Sequence, residues 1–147
     1  MADLSVTLVA GLISFMTAWT VKGFEHSRTY REKRVLRADE TVSSLSIYIE
    51  SWRRVIHISR LGRERDLSGE ECQRLERYIS ERDSAKHRLS SCIATLPLYF
   101  NDSVVLIGRK FREWDRQQST KRLHELPDIK DWEGWLERIS IALKRHL

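Results

Sequence analysis

Three residues in the middle of this chain, Arg82, Asp83 and His87, have side chains that could do chemistry together. A histidine has an unperturbed pKa near ~6.5, so its imidazole can give and take protons at neutral pH. An arginine guanidinium grips phosphate through two parallel hydrogen bonds. Residues of these two types can therefore transfer protons and bind phosphate.

The run Arg82-Asp83-Ser84-Ala85-Lys86-His87 resembles the motif of the HEPN ribonucleases. Members of that family are all-α bundles whose dimers join two such motifs into an RNA-cleaving site. The resemblance implies that His87 is the acid–base group, Arg82 contacts phosphate and Asp83 is an orienting polar group. The alternative is structural: Arg82 and His87 are partly exposed bundle residues, and Asp83 pairs with His87 one turn on.

No other sequence pattern indicates an enzyme. The chain has no phosphate-binding glycine loop, no nucleophile elbow and no HExxH pair. Cys72 and Cys92 are its two cysteines, and on one continuous helix they lie about 30 Å apart, too far for a disulfide. We expect both to be small core residues, and we expect no catalysis, no cofactor and no metal.

An uncharged stretch from Leu4 to Val21 predicts a membrane anchor in residues 1–22. At ~1.5 Å per residue it covers about 27 Å, near the lower limit for a transmembrane helix. Trp19 suits the inner aromatic belt of a bilayer, and Gly11 could let two anchors pack together. A buried core helix is the alternative reading of the same stretch.

Basic residues follow the anchor immediately and outnumber the acidic ones. They are Lys22, Arg28, Arg31, Lys33, Arg34 and Arg37, against Glu25 and Glu32. Because Lys and Arg flanking a span stay on the cytoplasmic side, we expect an inner (plasma) membrane protein with its N-terminus outside. The first five of these basic residues could also contact anionic lipid headgroups.

Composition favours one helical domain after the anchor. The chain has 147 residues, of which 32% are charged, with only six Gly and two Pro, which favours long helices over many short strands. Residues 23–147 suffice for one compact domain. The net charge of +5 is concentrated beside the anchor, so nucleic acid is not an expected partner.

The apolar residues after the anchor repeat at steps of three and four. This heptad stripe comprises Val35, Ala38, Val42, Leu45, Ile49, Trp52 and Ile56, broadened by Ile47, Tyr48, Val55 and Ile58. No Pro or Gly interrupts the chain between Phe24 and Leu61, so the anchor is predicted to continue as one long helix. The width of the stripe suits an antiparallel bundle.

Residues 61–67 predict a turn, and Ser68 and Glu71 form a capping box that starts a second helix, which Pro97 ends. Arg82 and Lys86 interrupt the apolar stripe of this helix. A third helix is predicted from about Val104 toward Leu123. Its pattern turns polar after Trp114, which predicts that this end frays or projects.

A last helix is predicted from near Asp131, with Trp132 and Trp135 among its apolar positions. Trp52, Trp114, Trp132 and Trp135 are predicted core residues, although one of the last two could face a partner, because Trp is enriched at binding hot spots. The predicted architecture is all-α: a single transmembrane helix that continues into a cytosolic antiparallel four-helix bundle.

The functional expectation is an anchor, adaptor or accessory subunit. Its partners would be membrane lipids and either a second protein or further copies of itself. Two alternatives stay open: a membrane-permeabilising effector of the phage or defence type, and the HEPN-like ribonuclease.

Overall fold

Four α-helices and no strand make up the part of the chain that the computed structural model describes, residues 2–122 and 125–147. Side chains are described for residue 17 and residues 20–122 and 125–147. The helices are α1 (Ala2–Glu64), α2 (Gly69–Thr95), α3 (Asp102–Ser119) and α4 (Ile129–Lys144), with a short 3₁₀ turn at Leu96–Leu98. The predicted all-α class is confirmed.

Neighbouring helices of the bundle are antiparallel. Along α1 and α2, Arg54 pairs with Glu81 and Ser44 lies 3.4 Å from Cys92, so residue numbers rise on one helix as they fall on the other. The same holds for α1 and α4, where Arg53 pairs with Glu133 and Arg34 bonds the carbonyl of His146. The chain therefore runs up, down, up and down around one core.

Local sequence signals start three of the helices. Ser68 and Glu71 form the predicted capping box of α2, with the Ser68 side chain accepting from the Glu71 amide at 3.2 Å. Asn101 caps α3 and Asp128 caps α4 through their side chains. These bonds satisfy amides that have no partner within their own helix.

Most of the predicted stripe of α1 forms one wall of the core, but Val35 is wrong as an inward residue because it is 38% exposed. Ala38, Leu45, Ile49 and Trp52 are all buried, as are Tyr48, Val55 and Ile58. Ile47 is wrong as a predicted inward residue, because it is 53% exposed. It lies on the outer face of α1, next to the buried Tyr48 in sequence but about 100° away around the helix.

Two further predictions about burial are wrong. Cys72 is exposed, because it lies in the first turn of α2 at the end of the bundle. The polar end of α3 does not fray, because Asp115 and Gln118 are buried at 4% and 5% exposure and α3 stays helical to Ser119. Leu123, the predicted limit of this helix, lies outside the described residues.

The anchor prediction falls mostly on side chains that are not described, including those of Leu4, Gly11 and Trp19; Val21 is described and is 50% exposed. The backbone of this stretch is helical and belongs to α1. Within the described residues, no helix has a segment long and apolar enough to cross a membrane.

Candidate functional site

The nuclease-like residues of α2 point in two directions. The Arg82 guanidinium bonds Asp83 Oδ1 at 2.7 Å and lies over the Trp52 ring of α1, 4.6 Å from its centroid. Asp83 and His87 are exposed and line an open groove along the outer face of α2. Among the described residues, Asp83 pairs with Arg82, and no ion pair joins it to His87. Arg82 is thus held against α1 while His87 faces away from the bundle.

Most of the predicted headgroup contacts face outward. Lys22, Arg28, Arg31 and Lys33 are exposed, and Arg28 pairs with Glu32 at 3.1 Å. Arg34 is different, because it is half-buried, donates a hydrogen bond to the His146 carbonyl and lies 5.5 Å from the Phe100 ring centroid. Its guanidinium therefore ties α1 to the C-terminus.

The two predicted partner contacts of α4 lie in different surroundings. Trp132 is fully buried, with its ring centroid 5.1 Å from those of both Trp52 and Trp114. Trp135 is half-buried and packs edge-on against Phe111 at 5.8 Å. A partner could touch Trp135 on the folded protein, whereas Trp132 is reached only by opening the core.

Trp135 lies in a surface groove of about 350 Å³ between α3 and α4. Its apolar side chains are Ile107 from α3 and Trp135, Ile141 and Ala142 from α4. Ile141 is 44% exposed, so a large part of this aliphatic side chain is open to solvent. Such a groove could accept the apolar side chains of another molecule.

Three cations surround this groove: Lys110, Arg138 and Arg145. Arg138 lies over the Trp135 ring, 5.2 Å from its centroid. Within the described part of the chain, none of the three forms an ion pair with a carboxylate. Elsewhere on the bundle many arginines do: Arg37 with Glu40, Arg53 with Glu50 and Glu133, Arg54 with Glu50 and Glu81, Arg65 with Glu71 and Arg116 with Glu113.

The helical period of α4 produces the groove. Trp132, Ile139 and Leu143 form its buried stripe, at steps of seven and four residues. Positions 135, 138, 142 and 145 follow steps of three and four on an adjoining face, so they lie in a row along the helix. The sequence contains this second row, but which helix borders it depends on the packing of α3.

Beneath the aromatic residues lies a buried polar cluster centred on Asp115 of α3. Its Oδ1 accepts hydrogen bonds from the Tyr48 hydroxyl at 2.7 Å and the Trp132 indole at 3.4 Å, and its Oδ2 lies 3.0 Å from Lys86 Nζ. Burial raises the pKa of the Tyr48 phenol above its ordinary value, and the Asp115 carboxylate raises it further. Tyr48 therefore stays protonated and donates to Asp115.

The predicted elements do not include this cluster, although the sequence contains a signal for it. Lys86 interrupts the apolar stripe of α2, and Asp115 lies four residues after Phe111 on the stripe of α3. Opposite charges at inward positions of two helices predict a buried ion pair. Within the described residues, no group of three His, Cys, Asp or Glu side chains is placed to hold a metal ion.

Together the fold and the groove define a helical bundle that presents an apolar surface groove with a basic rim. Compared with known proteins, the chain matches no family model, no curated sequence and no solved structure. The assignment of function therefore rests on the geometry of this chain.

Proposed function

We propose that this protein is a single-pass membrane-anchored adaptor or accessory subunit whose helical bundle binds a protein partner through the α3–α4 groove. The groove carries the proposal, since its exposed Ile141 and half-buried Trp135 provide an apolar surface that the bundle itself does not cover. Aromatic residues and Arg are the side chains most enriched at protein–protein binding hot spots. Arg138 stacked on Trp135 supplies both at one place.

The anchor is proposed from the uncharged run 4–21 and the basic residues that follow it. The backbone supports this arrangement because α1 is one helix from Ala2 to Glu64, without a break between the run and the bundle. Residues 22–29 rise about 12 Å along that helix before Tyr30 contacts the carbonyl of Leu98. The bundle would thus stand off the inner face of the membrane, with the groove accessible from the cytoplasm.

The test is purification of the tagged full-length protein from membranes in mild detergent after light crosslinking, with retained proteins identified and their stoichiometry measured. We expect one stoichiometric partner with the wild type and its loss with Ile141→Asp. Ile47→Asp is the matched control, because Ile47 is exposed to a similar degree on α1. Equal recovery of the partner with both variants would exclude the groove as the binding site.

Topology is tested separately with a reporter that is active only in the periplasm, fused after Leu147. We expect no reporter activity, since the basic residues after the run predict a cytoplasmic C-terminus. An active reporter would overturn the proposed orientation.

Recovery of self-oligomers alone would favour one of the two other functional classes. A permeabilising effector predicts growth toxicity on expression that Gly11→Leu abolishes. A HEPN-like ribonuclease predicts an altered cellular RNA profile that His87→Ala restores.

A further inference from the structure

The groove between α3 and α4 combines two properties that restrict what can occupy it. Its floor is apolar, formed largely by Ile107, Trp135 and Ile141, and its rim carries Lys110, Arg138 and Arg145. Building on the function proposed above, we propose that the occupant is an amphipathic α-helix of the partner protein, with apolar side chains in the groove and Asp or Glu along its flanks.

The dimensions of the groove fit a short helix. Its α4 wall extends from Trp135 to Arg145, about 15 Å along the axis, which matches roughly three turns of a bound helix. The volume of about 350 Å³ is near the lower end of the range found for binding pockets, ~300–1,000 Å³, and suits a few apolar side chains. Since the described residues include no strand, they offer no sheet edge to pair with an extended peptide.

The charges on the rim select for carboxylates. Guanidinium groups bind carboxylates through paired hydrogen bonds, and Arg138 and Arg145 lie seven residues apart on one face of α4. Acidic side chains spaced by two turns on a bound helix could reach both. Within the described residues, no carboxylate pairs with these groups. They are therefore available for such contacts.

A second copy of this chain is a poorer occupant of the groove. In a two-fold symmetric dimer, the same surface meets itself, so the three cations of one groove would face the three of the other. Like charges placed opposite one another at an interface are unfavourable. A nucleic acid would satisfy the cations but would leave the apolar floor against a charged ligand.

Fluorescence anisotropy with two synthetic peptides tests the proposal directly on the full-length protein in detergent. Both peptides are helices of about 14 residues, roughly four turns, with Leu at steps of three and four; one has Glu on the flanks and the other has Gln. We expect the Glu peptide to bind at least about tenfold more tightly than the Gln peptide. Binding should weaken as salt is raised, because these charges are exposed.

Two double variants test whether the cations of the rim contribute to binding. Arg138→Glu with Arg145→Glu should weaken binding of the Glu peptide at least about tenfold. Arg109→Glu with Arg112→Glu is the matched control, since it changes the net charge equally at exposed residues of α3 that do not line the groove. Equal affinity for the two peptides, an equal effect of the two double variants, or no binding of either peptide would each overturn the proposed occupant.

The proposed function and the proposed occupant can fail separately. If Ile141→Asp releases the membrane-derived partner but the Arg138 and Arg145 double variant does not, the groove is the binding site and the acidic helix is wrong. If neither variant releases it, the function proposed for the groove is wrong. Release by both, together with preference for the Glu peptide, supports both proposals.

Discussion

The hydroxyl of Tyr48 donates a 2.7 Å hydrogen bond to Oδ1 of Asp115, and this bond joins α1 to α3 across the centre of the bundle. Lys86 of α2 and Trp132 of α4 contact the same carboxylate. One buried side chain thus has a polar contact with each of the other three helices. Since an unpaired buried carboxylate is strongly unfavourable, these contacts favour the one helix register that supplies all of them.

Removal of the Tyr48 hydroxyl should destabilise the protein. We expect Tyr48→Phe to lower the free energy of unfolding by about 1.5–3 kcal/mol, the usual contribution of a hydrogen bond to a charged group. Chemical denaturation of the full-length protein in detergent, followed by circular dichroism, measures this change. Tyr30→Phe removes the same atom from an exposed hydrogen bond and should have an effect below about 0.5 kcal/mol. Equal effects would contradict the assigned role of Asp115.

The Asp115–Lys86 pair should show energetic coupling. Asp115→Leu leaves the Tyr48 hydroxyl and the Trp132 indole without their acceptor and should cost about 2–4 kcal/mol. The double variant with Lys86→Met should lose about 1 kcal/mol less free energy of unfolding than the two single variants lose in sum. The reason is that each single change leaves a charge unpaired. A double-mutant cycle measured by denaturation gives this coupling. Strict additivity would show that the 3.0 Å ion pair contributes nothing.

Low pH should destabilise the first turn of α2 before it destabilises the rest of the bundle. Hydrogen bonds from Arg65 and from the Ser68 amide lower the pKa of Glu71 from 4.5 to about 2. Because the pKa is lower in the folded state, the stabilisation is present above about pH 4.5 and is lost as the pH falls toward 2. The protection of the first amides of α2 against hydrogen exchange, measured relative to their intrinsic rates at each pH, should therefore decrease across that range. In the Glu71→Gln variant, this pH-dependent change at the start of α2 should disappear.

Substitution of two glycines by larger residues should change the stability of the protein in opposite directions. A Cβ atom at Gly108 would lie 3.1 Å from Ile93 Cγ2 and 3.2 Å from Leu96 Cδ1, so this glycine lets α2 and α3 approach closely. We expect Gly108→Val to destabilise the bundle by about 1–3 kcal/mol through overpacking. Gly134 has no atom within 4 Å of its added Cβ, and Gly134→Ala should stabilise α4 by roughly 0.5–1 kcal/mol. Thermal unfolding of both variants measures the contrast.

Local signals in the sequence are sufficient to predict the helices and many of the core residues. The capping box at Ser68 and Glu71 is confirmed, because it depends on residues three apart. The stripe through Leu45, Ile49 and Trp52 is confirmed for a similar reason, since helical periodicity decides which side chains share a face. The anchor, the orientation and the partner remain predictions.

The sequence by itself determined an all-helical chain with a long, uninterrupted first helix, because backbone propensity, caps and periodicity act over a few residues. Only the tertiary structure decided that Asp115 is buried, that Arg82 packs on Trp52 and that Trp135 lines an open groove while Trp132 does not. Each of these outcomes depends on which side chains the other helices bring to the same place. Burial and pairing of a charge are therefore properties of the assembled bundle, which no single helix encodes.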